Sequence, residues 1–118
     1  MNQFKKLRAW EEAIDIAVVI YEVTKLFPDS EKFGIISQMR RCVISISSNI
    51  AEGAGRNNPG EFYHFLGIAL GSAAELESQI FVSQKLKFCR KKDSEEIIDK
   101  LNHIQNMIFK LQQSVKKK

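Results

Sequence analysis

The chain has 118 residues, 44% of them hydrophobic and 27% charged, with two cysteines and a formal net charge of +4. This balance belongs to one folded domain with a single core and excludes a disordered chain. No uninterrupted apolar run approaches the roughly 20 residues needed to span a bilayer, so no membrane partner is expected.

Met1-Asn2-Gln3 leads straight into charges that recur through Asp15, which is not the pattern of a signal peptide, and the expected location is cytoplasmic. Residues 1–58 carry 8 Lys/Arg against 7 Asp/Glu, and the remainder 10 against 7, so the excess of positive charge lies late in the chain. It gathers at Lys85 to Lys92 and in the tail Lys116-Lys117-Lys118. A basic surface of this kind suits an acidic partner and also serves solubility.

In chain order, the first helix is expected over residues 7–26, with Leu7, Trp10, Ala13/Ile14, Ala17, Ile20/Tyr21 and Thr24 on its buried side. Pro28 ends it, because the residue before a proline is driven out of helical geometry, and Phe27 is expected to fold back as a plug. A second helix over residues 32–55 starts between Ser30 and Gly34 and carries a seam of Ile36, Met39, Val43, Ile46 and Ile50. Beside that seam runs a polar stripe of Gln38, Arg41, Ser45, Ser48 and Glu52, followed by Asn49 and Glu52 near the helix exit. Gly53 and Gly55 are expected to end the helix in left-handed conformations, which glycine reaches at low cost.

Asn58-Pro59-Gly60-Glu61 reads as a helix start, with Asn58 as cap, Pro59 at the first position and Glu61 reaching back as in a capping box. The third helix, residues 59–88, has a seam of Phe62, Leu66, Ala69, Ala73, Leu76 and Ile80 that lapses at Ser83. A second stripe, Phe65, Ile68, Ser72, Glu75, Gln79, Val82 and Leu86, gives this helix two faces to satisfy: a bundle core and another subunit. Gly67, Gly71 and Ala74 form a small-residue strip that lets a neighbouring backbone approach. After a basic hinge, Asp93 or Ser94 caps a fourth helix over residues 94–115 with a seam of Ile97, Leu101, Ile104, Ile108, Leu111 and Val115. No segment keeps strand alternation. The expected fold is all-α, a single up-down-up-down antiparallel four-helix bundle.

Chemistry is sparse. Glu61-x-x-His64 has the spacing used twice in di-iron carboxylate bundles, but it occurs once, and Asp99 and His103 do not complete the set. No metal and no cofactor are expected. Cys42 and Cys89 share no CxxC or zinc-type spacing and read as buried free thiols. Ser45, Ser47 and Ser48 have no identifiable base, and the glycines near Gly53 lack the strand and lysine of a phosphate loop. Asn49, Glu52 and Glu75 sit on or beside apolar faces and are expected to hydrogen-bond one another or free backbone at the bundle end. The chain is therefore expected not to be an enzyme. The candidate nucleic-acid contacts are Arg40, Arg41, Arg56, Lys87, Arg90 and Lys91, with Phe88 the one aromatic noted among the cations.

Six motifs occur in order: F-x-x-L-x-x-W (Phe4 to Trp10), I-Y-x-x-T-x-x-F-P (Ile20 to Pro28), E-x-F-G-I-x-x-Q-x-R-R (Glu31 to Arg41), S-I-x-x-N-I-A-E-G-x-G-R (Ser45 to Arg56), E-F-x-x-F-L (Glu61 to Leu66) and A-x-G-S-x-x-E-L (Ala69 to Leu76). Together they resemble the four-helix-bundle family encoded in intervening sequences of bacterial 23S ribosomal RNA genes. The resemblance covers most of the first three helices. It implies a ring-like homopentamer and kinship with the accessory variability proteins of diversity-generating retroelements, basic barrels that bind a reverse transcriptase and its nucleic acid. By position, the distinctive residues are Gln38, Arg41, Asn49, Glu52, Gly53, Arg56, Glu61, Phe62, Gly71, Ser72 and Glu75, a mixture that suits fold and subunit contacts. Two readings follow: an oligomeric module binding structured RNA or a nucleic-acid-processing protein, and a purely structural homo-oligomeric scaffold.

Overall fold

The computed structural model describes residues 4–116, and the lysines at 117 and 118 lie outside them. Four helices form the fold: α1 (Arg8–Thr24), α2 (Ile35–Gly55), α3 (Pro59–Lys85) and α4 (Lys91–Lys116), with short 3-10 turns at Phe4–Lys6 and Asp29–Glu31. Each helix packs on its neighbours in sequence, and α1 closes the ring against α4. The result is the expected antiparallel four-helix bundle, 45 Å long and 23 × 19 Å across. Its long axis agrees with the roughly 40 Å that 27 residues of α3 span at 1.5 Å each.

The core is the sum of the four seams. Ile36, Met39, Val43, Ile46 and Ile50 of α2 are all buried, as are Leu66, Ala69, Ala73, Leu76 and Ile80 of α3. α1 contributes Ala9, Ala13, Ile16, Ala17 and Ile20, and α4 contributes Ile97, Leu101, Ile104, Ile108 and Val115. Ile14 and Tyr21, grouped with the buried side of the first helix by periodicity, instead face outward. Among the described residues, α3 is the one helix long and apolar enough by length and composition to cross a membrane. Here its apolar seam packs on α2 and α4.

Several local expectations are corrected. The seam of α3 does not lapse at Ser83: the residue is fully buried, and its hydroxyl donates to Gln79 O at 2.9 Å and lies 3.6 Å from Met39 Sδ. A hydroxyl bonded to its own helix i−4 carbonyl can enter a core without an orphaned donor. α3 ends at Lys85 rather than near residue 88. α4 begins at Lys91, which puts Asp93 and Ser94 inside the helix rather than at its cap. Ser94 is buried and donates to Gln84 Oε1 at 2.9 Å, tying the start of α4 to the end of α3. α2 starts at Ile35, after a 3-10 turn, not at residue 32.

Among the described residues the left-handed ones are Asn57 (φ 56°) and Lys87 (φ 66°), not Gly53 and Gly55. Gly53 stays helical for a packing reason: a Cβ there would lie 2.8 Å from Phe65 Cβ and 3.0 Å from Phe62 Cδ1. The α3 start is as expected, with Asn58 Oδ1 accepting the Glu61 N–H at 3.0 Å and Pro59 in the first turn. Glu61 does not complete a capping box; its carboxylate turns toward Arg56 instead, at 3.6 Å. Asn58→Ala is expected to lower the unfolding free energy by about 1 kcal/mol in a urea titration, the usual worth of such a cap.

Candidate functional site

Two regions concentrate the polar and charged groups. The first is the outer edge of the α2–α3 pair, where the two stripes read from the sequence meet. Ser45 and Ser72 share a hydrogen bond of 2.8 Å, and Asn49 Nδ2 donates to Ser45 O and Oγ at 2.8 and 2.9 Å. Toward one end, the Cys42 thiol donates to Glu75 Oε2 at 3.0 Å. Toward the other, Arg56 pairs with Glu52 at 2.9 Å and stands over the Phe65 ring at 5.1 Å. Asn49 and Glu75 thus take partners along the seam, Ser45 and Cys42, whereas Glu52 pairs with Arg56 at the α2 exit, the bundle end. Gln38 is exposed, whereas Phe62 is half-buried beneath the α2–α3 corner.

Among the described residues no histidine hydrogen-bonds to Cys42 or to the seam serines, and no group of three or more His, Cys, Asp and Glu is placed to hold a metal. His64 stacks edge-on with Phe65 and His103 pairs with Glu12 at 3.4 Å, so the two imidazoles serve different faces. The Cys42 thiol is pushed up from the usual 9.0 to about 11, first by burial and then by the neighbouring Glu75 carboxylate. A nucleophilic cysteine needs the opposite shift.

The sign of that shift fixes a pH dependence. Between pH 9.0 and about 11 the unfolded chain releases this proton while the folded chain keeps it. The stabilisation is therefore complete below pH 9.0 and is lost as the pH rises through about 11. Iodoacetamide labelling followed by peptide mass mapping is expected to modify Cys42 more slowly in the folded chain than in urea. Equal rates would contradict the buried, carboxylate-bonded geometry.

The second region is the bundle end where the α1–α2 and α3–α4 corners meet. Phe27 folds back into the core, as expected, and its ring lies 5.7 Å from that of Phe88. Residues 25–34 and 85–93 carry seven Lys/Arg against Asp29, Glu31 and Asp93, so the +4 of the whole chain equals the excess at this end. Lys87, Arg90 and Lys91 are all exposed here, with Arg90 reaching Asp93 at 3.0 Å. The same end exposes Leu26, Phe33 and Leu86 at 80%, 88% and 55%. Phe88, singled out from sequence, is half-buried; the freely exposed aromatic is Phe33, with Lys32 Nζ 5.6 Å from its ring. Sequence reasoning missed it because Phe33 and the Lys85–Lys92 cluster come to the same end of the bundle only through folding, although its place in a short corner beside Gly34 was a legible signal.

Arg40, Arg41 and Arg56 do not converge. Arg40 is committed within the fold: its guanidinium donates to Thr24 Oγ1 at 2.9 Å and Tyr21 O at 3.1 Å and stacks on Tyr21 at 4.6 Å. Arg41 is exposed, while Arg56 is held by Glu52 and Glu61 at the opposite end of the helix. Arg40→Ala is expected to cost about 1–3 kcal/mol in urea unfolding, through loss of the charge-assisted hydrogen bonds to Thr24 Oγ1 and the Tyr21 carbonyl. An effect within error would mean that this bridge between α1 and α2 is absent in solution.

The family model of the 23S rRNA-intervening sequence protein matches residues 5–110. Among solved structures, a protein of unknown function from the S23 ribosomal protein family of Bacteroides thetaiotaomicron superposes with a TM-score of 0.83. The two are 23% identical, and the alignment covers 89% of this chain and 95% of that one. At this identity the likeness is one of fold. No curated protein matches the chain.

Proposed function

The chain belongs to the 23S rRNA-intervening sequence protein family, and from that premise we propose that it is a non-catalytic, homo-oligomeric cytoplasmic bundle that holds structured RNA on its basic end. The observation that carries the reading is the charge excess of the paired corners, residues 25–34 and 85–93, which equals the net +4 of the whole chain. Lys87, Arg90 and Lys91 supply exposed cations there, and phosphate contacts need only such cations at the surface.

Assembly is supported by the outward face of α3. Ile68 and Val82 are exposed at 39% and 46%, and a Cβ at Gly71 would meet nothing within 4 Å. Glycine inside a helix costs about 1 kcal/mol relative to alanine, and the packing of one chain gives no return for it at this position. Close approach of a second chain would. The family resemblance implies five subunits, so light scattering is expected to give about five times the 13.5 kDa chain mass. A monomer at micromolar concentration would overturn the oligomeric reading.

RNA binding is tested by fluorescence anisotropy with a labelled structured RNA across a salt series. Affinity is expected to fall steeply with salt. Replacing Lys87, Arg90 and Lys91 together by glutamate should reduce the slope of log affinity on log salt by about 1 per lost phosphate contact. No binding even at low salt would favour the second reading, a scaffold with a protein partner or none. That reading is supported by the internal commitments of Arg40 and Arg56.

A further inference from the structure

We propose that Phe33 is a stacking platform for an unpaired base of bound RNA, so that the basic end selects loops or single strands over uninterrupted duplex. This rests on the RNA reading above and adds to it the class of RNA. Phe33 lies between the Asp29–Glu31 turn and the start of α2 at Ile35 and, at 88% exposure, is the most exposed of the large apolar side chains described. The core does not use this ring, since the neighbouring Phe27 takes that place at 4% exposure. An aromatic ring beside phosphate-binding cations is the composition that single-strand recognition requires. Every base has a flat face to stack, and every nucleotide brings a phosphate for a nearby cation.

The position of Lys32 decides between an RNA base and a lipid surface. Its ammonium is 5.6 Å from the Phe33 ring centroid. Sinking the ring into hydrocarbon would draw this cation with it or break the contact, and desolvating an ammonium is costly. A base uses one face of the ring and leaves the cation in water, within reach of the adjoining phosphate. The corners meet through Phe27 and Phe88, whose rings are 5.7 Å apart, so Lys87, Arg90 and Lys91 flank the same end as Phe33. A duplex, whose bases are already stacked, offers that ring nothing.

The test compares the wild-type chain, Phe33→Ala and Phe33→Trp by anisotropy. The probes are a labelled RNA hairpin with a uridine-rich loop, the same stem as a blunt duplex, and vesicles of phosphatidylserine and phosphatidylcholine. The wild type is expected to prefer the hairpin. Phe33→Ala should weaken hairpin binding by about tenfold and leave duplex binding unchanged, the usual scale for loss of one stacked base. Phe33→Trp should retain hairpin affinity, and its added indole emission should be quenched on binding. Equal affinity for hairpin and duplex, unaffected by Phe33→Ala, would overturn the stacking role while leaving the RNA reading in place. Absence of all RNA binding would overturn both. Vesicle binding lost in Phe33→Ala without RNA binding would assign the residue to a lipid surface instead. A changed oligomer mass in Phe33→Ala by light scattering would assign it to a subunit contact, and either result rejects the proposal.

Discussion

Ile46→Ala is expected to lower the unfolding free energy by about 2–5 kcal/mol, the range for removing a large aliphatic side chain from a close-packed core. Ile46 sits at the middle of the α2 seam with 0% exposure, as do Val43 and Ile50 on either side. The α1–α2 and α2–α3 contacts both pass this helix, so the surrounding helices cannot collapse into the space without giving up other contacts. A urea titration at fixed chain concentration measures the change, and an unaltered denaturant slope would show that only stability has moved. Asn58→Ala, at the exposed α3 cap, is the comparison. Equal losses at the two positions would mean that either the core or the corner is misplaced.

Gly53→Ala is expected to destabilise the fold by about 1–3 kcal/mol, the usual cost of overpacking, although helix propensity alone favours alanine by about 1 kcal/mol. The sign is decided by what the methyl meets. Phe65 Cβ would be 2.8 Å away and Phe62 Cα 3.4 Å away, atoms on or next to the α3 backbone that cannot turn aside as the tip of a long side chain can. Relief requires α2 and α3 to separate at the corner where they pack on one another. Gly71→Ala is the matched control within one chain: with nothing of that chain within 4 Å of the added Cβ, it should leave the fold of the separated subunit unchanged or raise its stability by up to about 1 kcal/mol. If Gly53→Ala proved as harmless as Gly71→Ala by urea unfolding, the close α2–α3 contact would not exist in solution. Loss of assembly in Gly71→Ala, at undiminished fold stability, would place a second chain on that face.

The sequence by itself determined the four helices, the corners at Pro28 and Asn58, and most of the core. These depend on local geometry: 3.6 residues per turn decides which side chains share a face, and proline and a capping amide act within a few residues of themselves. What it left open are the relations between faces. Gly53 reads locally as a helix terminator, and only the position of Phe62 and Phe65 shows that it is a contact point. Arg40 and Arg41 are adjacent in a basic motif, yet one is locked onto Tyr21 and Thr24 of α1 and the other is exposed. Ser83 looks like a break in an apolar seam until its bond to the Gln79 carbonyl satisfies it. Phe33 and the Lys85–Lys92 cluster, some fifty residues apart in the sequence, come to the same end because the antiparallel topology returns α3 to the corner that α1 reached. Periodicity carries the direction of a side chain about its own helix axis. The distance from that side chain to a group on another helix is set by packing, and that distance decides which cations are neutralised and which aromatic ring stays open.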